Sequence, residues 1–271
     1  MTTPQKSFAE LLESALTNPG TISASYSAFH NYSFGNQLLA MAQCMAREIP
    51  VGPIATFPKW KELGRFVRKG EKAIVLCQPV TIKSKDAAEG ETPEVFTRFM
   101  YRANWFVMAQ TDGDDMPADE APGWDKATAL AALGITEKPF DLTNGNIGGY
   151  ASDRTIAINP VGMHPFRTTL HEIAHIVLGH TSEGTQMSDD ATTPRTIREV
   201  EAESVAFLCA AALGFMDGAD DSRGYIQTWH ARGEAITDKH AQRIFKATDT
   251  ILKAGQVDIS TDVDRDFTTE G

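Results

Sequence analysis

The 271-residue sequence predicts an α+β fold in two domains, a mixed helix-and-strand domain followed by a mostly helical domain with a small sheet. Three observations lead to this prediction. Apolar residues recur at helical spacing near both ends of the chain, whereas β-branched and aromatic residues concentrate between positions 73 and 108. An acidic stretch rich in Pro and Gly separates the two textures. Hydrophobic residues make up 42% of the chain, which is enough for two cores.

The first half begins with predicted helices and continues with predicted strands. Apolar positions within residues 8–16 and 38–45 recur every three or four places, as on one face of a helix. Residues 73–82 and the stretch 95–108 are rich in β-branched and aromatic side chains, so strands are expected there. Residues 110–125 have the composition of a linker and mark a domain boundary.

This boundary gives a first domain at residues 1–115 and a second at residues 126–255. The second domain opens with a predicted short helix at 126–133, and residues 150–158 are a predicted strand. Three longer helices are predicted at residues 166–179, 195–213 and 238–254. Residues 256–271 are polar and acidic, so a disordered tail is expected.

The net charge of −11 is unevenly distributed. Residues 1–109 carry 12 basic and 9 acidic side chains, whereas residues 110–271 carry 13 and 27. Within the first half, the segment from Lys59 to Lys85 holds eight basic side chains and two acidic ones. Such a segment in an acidic protein is a candidate docking site for a polyanion, although a solvated surface has the same composition.

The cysteines and the apolar runs indicate the compartment. Cys44, Cys77 and Cys209 are odd in number and widely spaced, which argues against a disulfide framework and for a reducing environment. No stretch approaches the roughly 20 apolar residues of a membrane span, and the first residues lack the apolar run of a secretion signal. We therefore expect a cytoplasmic protein with no membrane partner.

The segment His171-Glu-Ile-Ala-His175 is an H-E-x-x-H motif. Residues four apart share a face of a helix, so both imidazoles can reach one metal ion. Glu172 lies where it can act on a metal-bound water rather than on the metal. Catalytic zinc needs a third protein ligand and leaves the fourth position to water. Leu178 and Thr181 occupy the places where the three-histidine version of the motif requires Gly and His, so that version is excluded.

Three glutamates on the next predicted helix compete for the third position. Glu199 and Glu203 are four apart and share a face, whereas Glu201 points about 200° away and is expected to face solvent. The stretch from Glu199 to Glu203 resembles the Glu-x-x-Ala-Asp segment of many zinc peptidases, in which the first Glu is a ligand. The resemblance implies Glu199 as the third Zn²⁺ ligand and Glu203 as the acceptor for the ring N–H of a ligand histidine.

Several alternatives stay open at the sequence level. Glu172 could only cap a helix, because Thr169-x-x-Glu172 fits a capping box. His180 suits the end of a helix better than a ligand position. Residues 150–158 could be an edge strand that aligns an extended peptide beside the metal. The donor that stabilises the transition state is expected among His230, Tyr225, His240 and His164.

The two halves resemble two known families. Residues 126–255 resemble the ImmA/IrrE group of zinc metallopeptidases through the segments 171–180, 199–207 and 225–229. The first half resembles the single-stranded-DNA-binding domain of ArdC-type antirestriction proteins through the segments 32–37, 57–72 and 110–113. The halves follow the order of ArdC-like proteins. The resemblance implies a zincin-like, gluzincin-type metalloendopeptidase domain behind a DNA-binding domain.

Side-chain chemistry in the first half also suits single-stranded DNA. Four basic residues surround a predicted turn and can meet successive phosphates: Arg65, Arg68, Lys69 and Lys72. Two aromatic residues, Trp60 and Tyr101, can stack on the bases that a single strand exposes. Three others, Phe66, Trp105 and Phe106, are expected in the core.

The leading hypothesis is therefore a DNA-associated zinc metallopeptidase of a mobile element, with single-stranded DNA and an unidentified protein substrate as partners and a role in antirestriction. One alternative is an ImmA-like regulatory peptidase that cleaves a repressor. A second alternative is a DNA-binding protein whose zinc is purely structural. Salt-sensitive binding to single strands separates the leading hypothesis from the first alternative, and turnover of a protein separates it from the second.

Overall fold

The computed structural model describes residues 6–83, 95–116, 120–142, 147–181, 194–215 and 236–258. Helices and strands are mixed along this part of the chain, which confirms the predicted α+β fold. The chain divides into two compact units. The smaller unit is residues 36–119, and the larger unit combines residues 1–35 with residues 120–271.

The larger unit is mostly helical. Helices α6 (Pro165–Val177), α7 (Arg195–Ala212) and α8 (Asp238–Ala254) pack against one another. Helix α1 (Phe8–Thr17) packs on α8, and α2 (Gly20–Phe29) packs on α7. The three long helices therefore lie at the positions that the apolar spacing predicts.

A small three-stranded sheet adjoins α6. Strand β9 (Thr155–Ile158) is central, with β7 (Thr136–Lys138) parallel on one side and β8 (Gly149–Ser152) antiparallel on the other. The single strand predicted at residues 150–158 is thus two strands. The chain reverses between them at Asp153, whose φ of +49° lies in the left-handed region.

The smaller unit contains a sheet built on one long hairpin. Strands β3 (Ile74–Lys83) and β4 (Val95–Val107) pair antiparallel, with Cys77 opposite Tyr101. Strand β1 (Ile54–Thr56) pairs with the other side of β4. Helix α4 (Phe57–Glu62) follows β1, and a separate ribbon joins β2 (Arg65–Val67) to β5 (Thr111–Gly113).

Helix α3 (Phe34–Ala46) bonds the outer edge of β3 through side-chain amides. Asn36 donates to the carbonyl oxygen of Cys77 at 2.9 Å and accepts from its backbone N–H at 2.8 Å. Gln43 makes the same two bonds to Val75, at 2.8 Å and 2.9 Å. The two amides are seven residues apart and share a face of the helix. They therefore occupy the hydrogen-bonding positions that a neighbouring strand would use.

The limits of the compact units differ from those of the predicted domains. Residues 1–35 group with the larger unit because α1 buries Leu11 and Leu12 there and packs Phe8 against Phe245 of α8, with ring centroids 6.2 Å apart. The predicted disordered tail begins with an ordered strand instead, β10 (Gln256–Val257), which pairs with β6 (Gly123–Trp124). The remainder of that prediction, from residue 259 onward, lies outside the described residues.

Helix α5 (Lys126–Leu133) lies at its predicted position. No helix in the described ranges is both long and apolar enough to cross a membrane. Cys44, Cys77 and Cys209 are free thiols. Burial raises the pKa of Cys44 to about 11, so this thiol is protonated at neutral pH.

Candidate metal centre

Helix α6 presents the two histidines of the H-E-x-x-H motif on one face. Pro165 occupies the first turn, where its missing N–H breaks no helical hydrogen bond. Ile173 and Ala174 are fully buried and fix the helix against the core. His171 and His175 are one turn apart, and their Nε2 atoms lie 3.0 Å from each other.

Helix α7 brings a carboxylate to the same place. The Oε2 atom of Glu199 lies 3.6 Å from the Nε2 atom of His171 and 3.6 Å from that of His175. Among the described residues, these three form the group that could hold a metal ion. A triangle with sides of 3.0, 3.6 and 3.6 Å has a circumscribed circle of about 2.0 Å radius, which is the bond length of zinc to nitrogen and oxygen ligands. The cluster therefore fits a metal ion.

The protonation of these groups follows from their contacts. Burial by itself disfavours the charged form of His171, but the carboxylates of Glu199 and Glu203 outweigh it and raise the pKa of His171 to about 9. The contacts with His171 and His175 hold the pKa of Glu199 below its usual range. In the metal-free protein, His171 is therefore protonated at neutral pH. Its positive charge balances negative charge of the neighbouring carboxylates, as a bound cation would.

The outer nitrogen of each imidazole has a partner. The Nδ1 atom of His171 lies 3.0 Å from Oε2 of Glu203, whose other oxygen accepts from the guanidinium of Arg167. The Nδ1 atom of His175 lies 3.0 Å from Nδ1 of His180. Partners of this kind fix the tautomer that leaves the Nε2 lone pair for a metal ion. Glu203 thus lies beside His171, as its predicted role requires. The position of His180 beside His175 could not be predicted from helical periodicity, because His180 lies beyond the end of α6.

Glu201 is buried, which contradicts the expectation that it faces solvent. Its side chain is 2% exposed, and its Oε2 atom lies 3.1 Å from Nε2 of His180. Every residue from 200 to 212 of α7 is buried, so this segment has no solvent face. Burial raises the pKa of Glu201 to about 7, and the Nε atom of Arg243 lies 3.4 Å from its Oε1 atom. The apolar residues on all sides of α7 were the sequence signal for this burial.

Glu172 lies beside the ligand cluster. The capping-box alternative is wrong, because Thr169 lies inside α6 and donates to the carbonyl oxygen of Pro165. Glu172 is buried and lines two cavities of about 730 and 740 Å³, both of which also border His171. Burial raises the pKa of Glu172 above its usual value. A carboxyl group with a raised pKa at this position suits proton transfer.

Strand β8 borders both cavities. Gly149 lines the two of them, and Tyr150 lines the second. Within the described sheet, β8 is an edge strand, so one of its sides can accept an extended chain. A Cβ atom at Gly149 would lie 2.8 Å from Cγ2 of Thr168, so only glycine lets β8 approach α6 this closely.

The four candidate donors for transition-state stabilisation lie in different places. His164 precedes the first turn of α6 and lines the first cavity. His240 lies in the first turn of α8, where its backbone N–H donates to the hydroxyl oxygen of Thr237. Tyr225 and His230 lie outside the described residues.

Two of the predicted DNA contacts, Trp60 and Arg65, are buried, which contradicts their predicted role. Trp60 is 1% exposed, and its Nε1 donates to the carbonyl oxygen of Phe106 at 2.8 Å. The Arg65 guanidinium donates to Thr111 and to the backbone oxygens of Gly113 and Asp114. These bonds tie β2 to β5, so the side chain serves the fold of the smaller unit.

The remaining basic residues of the turn, Arg68, Lys69 and Lys72, are exposed. Arg68 lies 2.9 Å from Glu71 and 3.4 Å from Asp112, so part of the positive charge is balanced locally. The exposure of these three side chains is compatible with the predicted contacts to phosphates, which stay a prediction.

The aromatic side chains that are exposed differ in part from those predicted to contact DNA. Tyr101 is 42% exposed on β4, and Phe99, two positions away on the same face, is 66% exposed. Phe66 is 60% exposed, which contradicts its expected place in the core. Trp105 is buried and Phe106 half-buried. The alternation of side chains along β4 is the sequence signal that places Phe99 and Tyr101 on the same face of the strand.

Comparisons with known proteins find similarity to ArdC in both sequence and structure. Residues 13–106 match the N-terminal domain of anti-restriction factor ArdC. Two crystal structures of the antirestriction ArdC protein from the R388 plasmid, one metal-free and one with Mn(II) bound, match with a TM-score of 0.54 at 20% identity. Each match covers 91% of this chain, and the matches cover 94% and 97% of the plasmid chains. No curated protein matches the sequence.

The resemblance to ArdC-type proteins that the sequence motifs indicate is therefore confirmed. The domain match lies in the first half of the chain, and the structural match extends over both halves. Residues 13–106 thus form an ArdC-type N-terminal domain, and the chain is similar in fold to R388 ArdC.

Proposed function

We propose that this protein is a zinc-dependent endopeptidase that acts in association with single-stranded DNA. One observation carries the peptidase proposal: Glu172 lies beside three side chains that could hold a metal ion, at two cavities bordered by a strand that is at the edge of the described sheet. Two imidazoles and one glutamate are a ligand set of catalytic zinc in peptidases. This supports zinc as the native ion, and the Mn(II)-bound R388 structure makes manganese the second ion to test.

The roles of the side chains follow from their positions. His171, His175 and Glu199 would hold the ion, which when bound supplies an acidified water and polarises the scissile carbonyl. Glu172 would accept the proton of the attacking water and deliver it to the leaving amine. The outer edge of β8, which no strand of the described residues covers, would align the peptide through backbone hydrogen bonds.

A purely structural metal is the alternative for this site. Structural zinc is normally held by four protein ligands in a closed shell. The described residues offer three ligands beside two cavities, so the site leaves room for water and substrate. This openness favours the catalytic proposal.

The peptidase proposal is tested by Glu172→Gln. The variant should keep its metal, because Glu172 is not among the three ligands, and should cleave peptides about 10²–10⁴-fold more slowly. Cleavage of a peptide library by zinc-loaded and manganese-loaded protein, read by mass spectrometry, measures the effect. Glu137→Gln on β7 is the matched control and should cleave like wild type. Equal cleavage by Glu172→Gln would exclude the mechanism.

For DNA we propose a contact surface on β4, revised from the sequence-based one. The exposed rings of Phe99 and Tyr101 share one face of the hairpin, and alternation along the strand places the exposed side chains of Arg98 and Arg102 on its other face. Base stacking needs exposed aromatic faces, and phosphates need nearby positive charge. Arg68, Lys69 and Lys72 add charge elsewhere in the same unit.

Fluorescence titration of the full chain with labelled oligonucleotides tests this surface. Phe99→Ala and Tyr101→Ala should each weaken single-strand binding by about 1–3 kcal/mol, with little effect on folding because both rings are exposed. Phe57→Ala removes another exposed ring and should bind like wild type. Binding should weaken steeply with salt. Equal affinity for single strands and duplex would favour the alternative in which this unit recognises protein.

By similarity to R388 ArdC we propose that the physiological role is antirestriction, on a mobile element and in the cytoplasm, where the three free thiols are stable. The rival is a regulatory peptidase that cleaves a repressor. Transfer of unmodified DNA into a restricting host distinguishes them. Wild-type protein should raise transfer, whereas a repressor-cleaving peptidase would leave it unchanged.

A further inference from the structure

The ligand imidazole of His175 is held by a chain of two buried side chains. Its Nδ1 atom lies 3.0 Å from Nδ1 of His180, and Nε2 of His180 lies 3.1 Å from Oε2 of Glu201. The side chains of His180 and Glu201 are each 2% exposed. We propose that His180 is a positioning residue of the metal centre, which, anchored by Glu201, holds His175 in the one tautomer and orientation that its metal bond requires. The inference rests on the metal centre proposed above.

With Glu201 ionised beside the guanidinium of Arg243, 3.4 Å away, the hydrogen bonds allow one consistent assignment of protons. The carboxylate of Glu201 accepts, so Nε2 of His180 carries a proton and donates. The Nδ1 atom of His180 is then an acceptor, and Nδ1 of His175 must be the donor. With its proton on Nδ1, His175 presents the lone pair of Nε2 towards His171 and Glu199. The alternative tautomer of His175 would place two bare Nδ1 atoms 3.0 Å apart.

The end of α6 delivers His180 to this place. Gly179 has a φ of +79°, and the backbone N–H of His180 donates to the carbonyl oxygen of His175 at 2.8 Å. With the bond from Gly179 to Ile176 at 3.1 Å, this is a Schellman motif, which folds the chain back over the last helical turn. Arg243 donates to the carbonyl oxygen of Leu178 at 3.1 Å and fixes the same turn.

His171 provides an internal comparison. Its Nδ1 atom meets a carboxylate directly, at Glu203, whereas the carboxylate behind His175 is one imidazole further away. Loss of such an outer partner generally weakens metal binding about 10–100-fold. We therefore expect His180 to matter for metal affinity as much as Glu203 does, although it contacts no metal.

The test measures zinc affinity of the full-length protein by competition with a chelating indicator. His180→Leu removes the acceptor and should weaken zinc binding about 10–100-fold. His180→Asn places an amide oxygen close to the position of Nδ1 and should restore most of the affinity. Glu201→Gln keeps the volume, weakens the anchor and should cause a smaller loss. Thr181→Val, at the next residue, removes a bond to Asp153 only and should bind zinc like wild type.

Ring ¹⁵N NMR of the metal-free protein gives a second readout that simple destabilisation does not move. Wild type should show the proton of His175 on Nδ1, and His180→Leu should populate both tautomers. Unchanged zinc affinity in both His180→Leu and Glu201→Gln, with wild type binding zinc, would overturn the positioning role alone. Failure of wild type to bind zinc or manganese would overturn the metal centre and the positioning role together.

Discussion

Polar residues behave differently in two regions of this protein. In α6 and α7, the side chains of His171, His175 and Glu199 point at one another beside open cavities. In the basic segment of the smaller unit, Trp60 and Arg65 bond to the backbone around them. The first set is available for a ligand, and the second is used by the fold. Spacing on a helix therefore indicates a site better than local density of charge does.

The largest expected effect concerns the ligands. His175→Ala and Glu199→Ala should each abolish stoichiometric zinc binding, a loss beyond the 10–100-fold typical of outer partners, because a two-ligand site remains. Metal analysis after dialysis measures this, and circular dichroism checks that the fold persists. If Glu199→Ala retains zinc, another residue is the third ligand, and the contrast between the two regions does not hold.

The next effect concerns the fold of the smaller unit. Trp60→Ala should destabilise it by about 3–5 kcal/mol, because the ring is 1% exposed and its N–H bonds the carbonyl oxygen of Phe106. Urea unfolding followed by circular dichroism measures the change, and Phe66→Ala, at an exposed ring, is the control. A stable Trp60→Ala variant with weakened DNA binding would return Trp60 to the binding surface.

The smallest effect separates two arginines three residues apart. Arg65→Ala should destabilise the protein by about 1.5–3 kcal/mol, because a buried guanidinium bonded to three residues is lost. Arg68→Ala should destabilise the protein less than Arg65→Ala, since the Arg68 side chain is 41% exposed, although it also donates to the backbone oxygens of Ala109 and Thr111. It should reduce the salt dependence of DNA binding. The same unfolding and titration experiments measure both. Equal destabilisation by the two substitutions would contradict the distinction.

Much of the candidate site could be predicted from the sequence. The four-residue spacings of His171 with His175 and of Glu199 with Glu203 place each pair on one helical face, and the structure brings three of them together and Glu203 behind His171. The place of His180 could not be predicted in this way, because it depends on the reversal of the chain after α6. Glu201 was misplaced because helical position alone does not say how many neighbours surround a helix.

The fold was predictable where the signal is local. The apolar spacing of the long helices and the two strands of the β3–β4 hairpin follow from sequence periodicity. The break within residues 150–158 was missed because Asp153, rather than a glycine, adopts the left-handed conformation at the turn. The place of α1 was missed because its packing on α8 joins positions more than 200 residues apart, such as Phe8 and Phe245.

The amide bonds from α3 to β3 have a consequence for studying the smaller unit in isolation. Exposed strand edges are templates for intermolecular pairing and aggregation. Asn36 and Gln43 block the edge at Cys77 and Val75, so a fragment that begins after residue 46 would present an unprotected edge and should aggregate. A fragment that begins with α3, at residue 34, retains both amides and should aggregate less. Asn36 and Gln43 therefore protect the edge of β3 from self-association, in addition to holding α3 against β3.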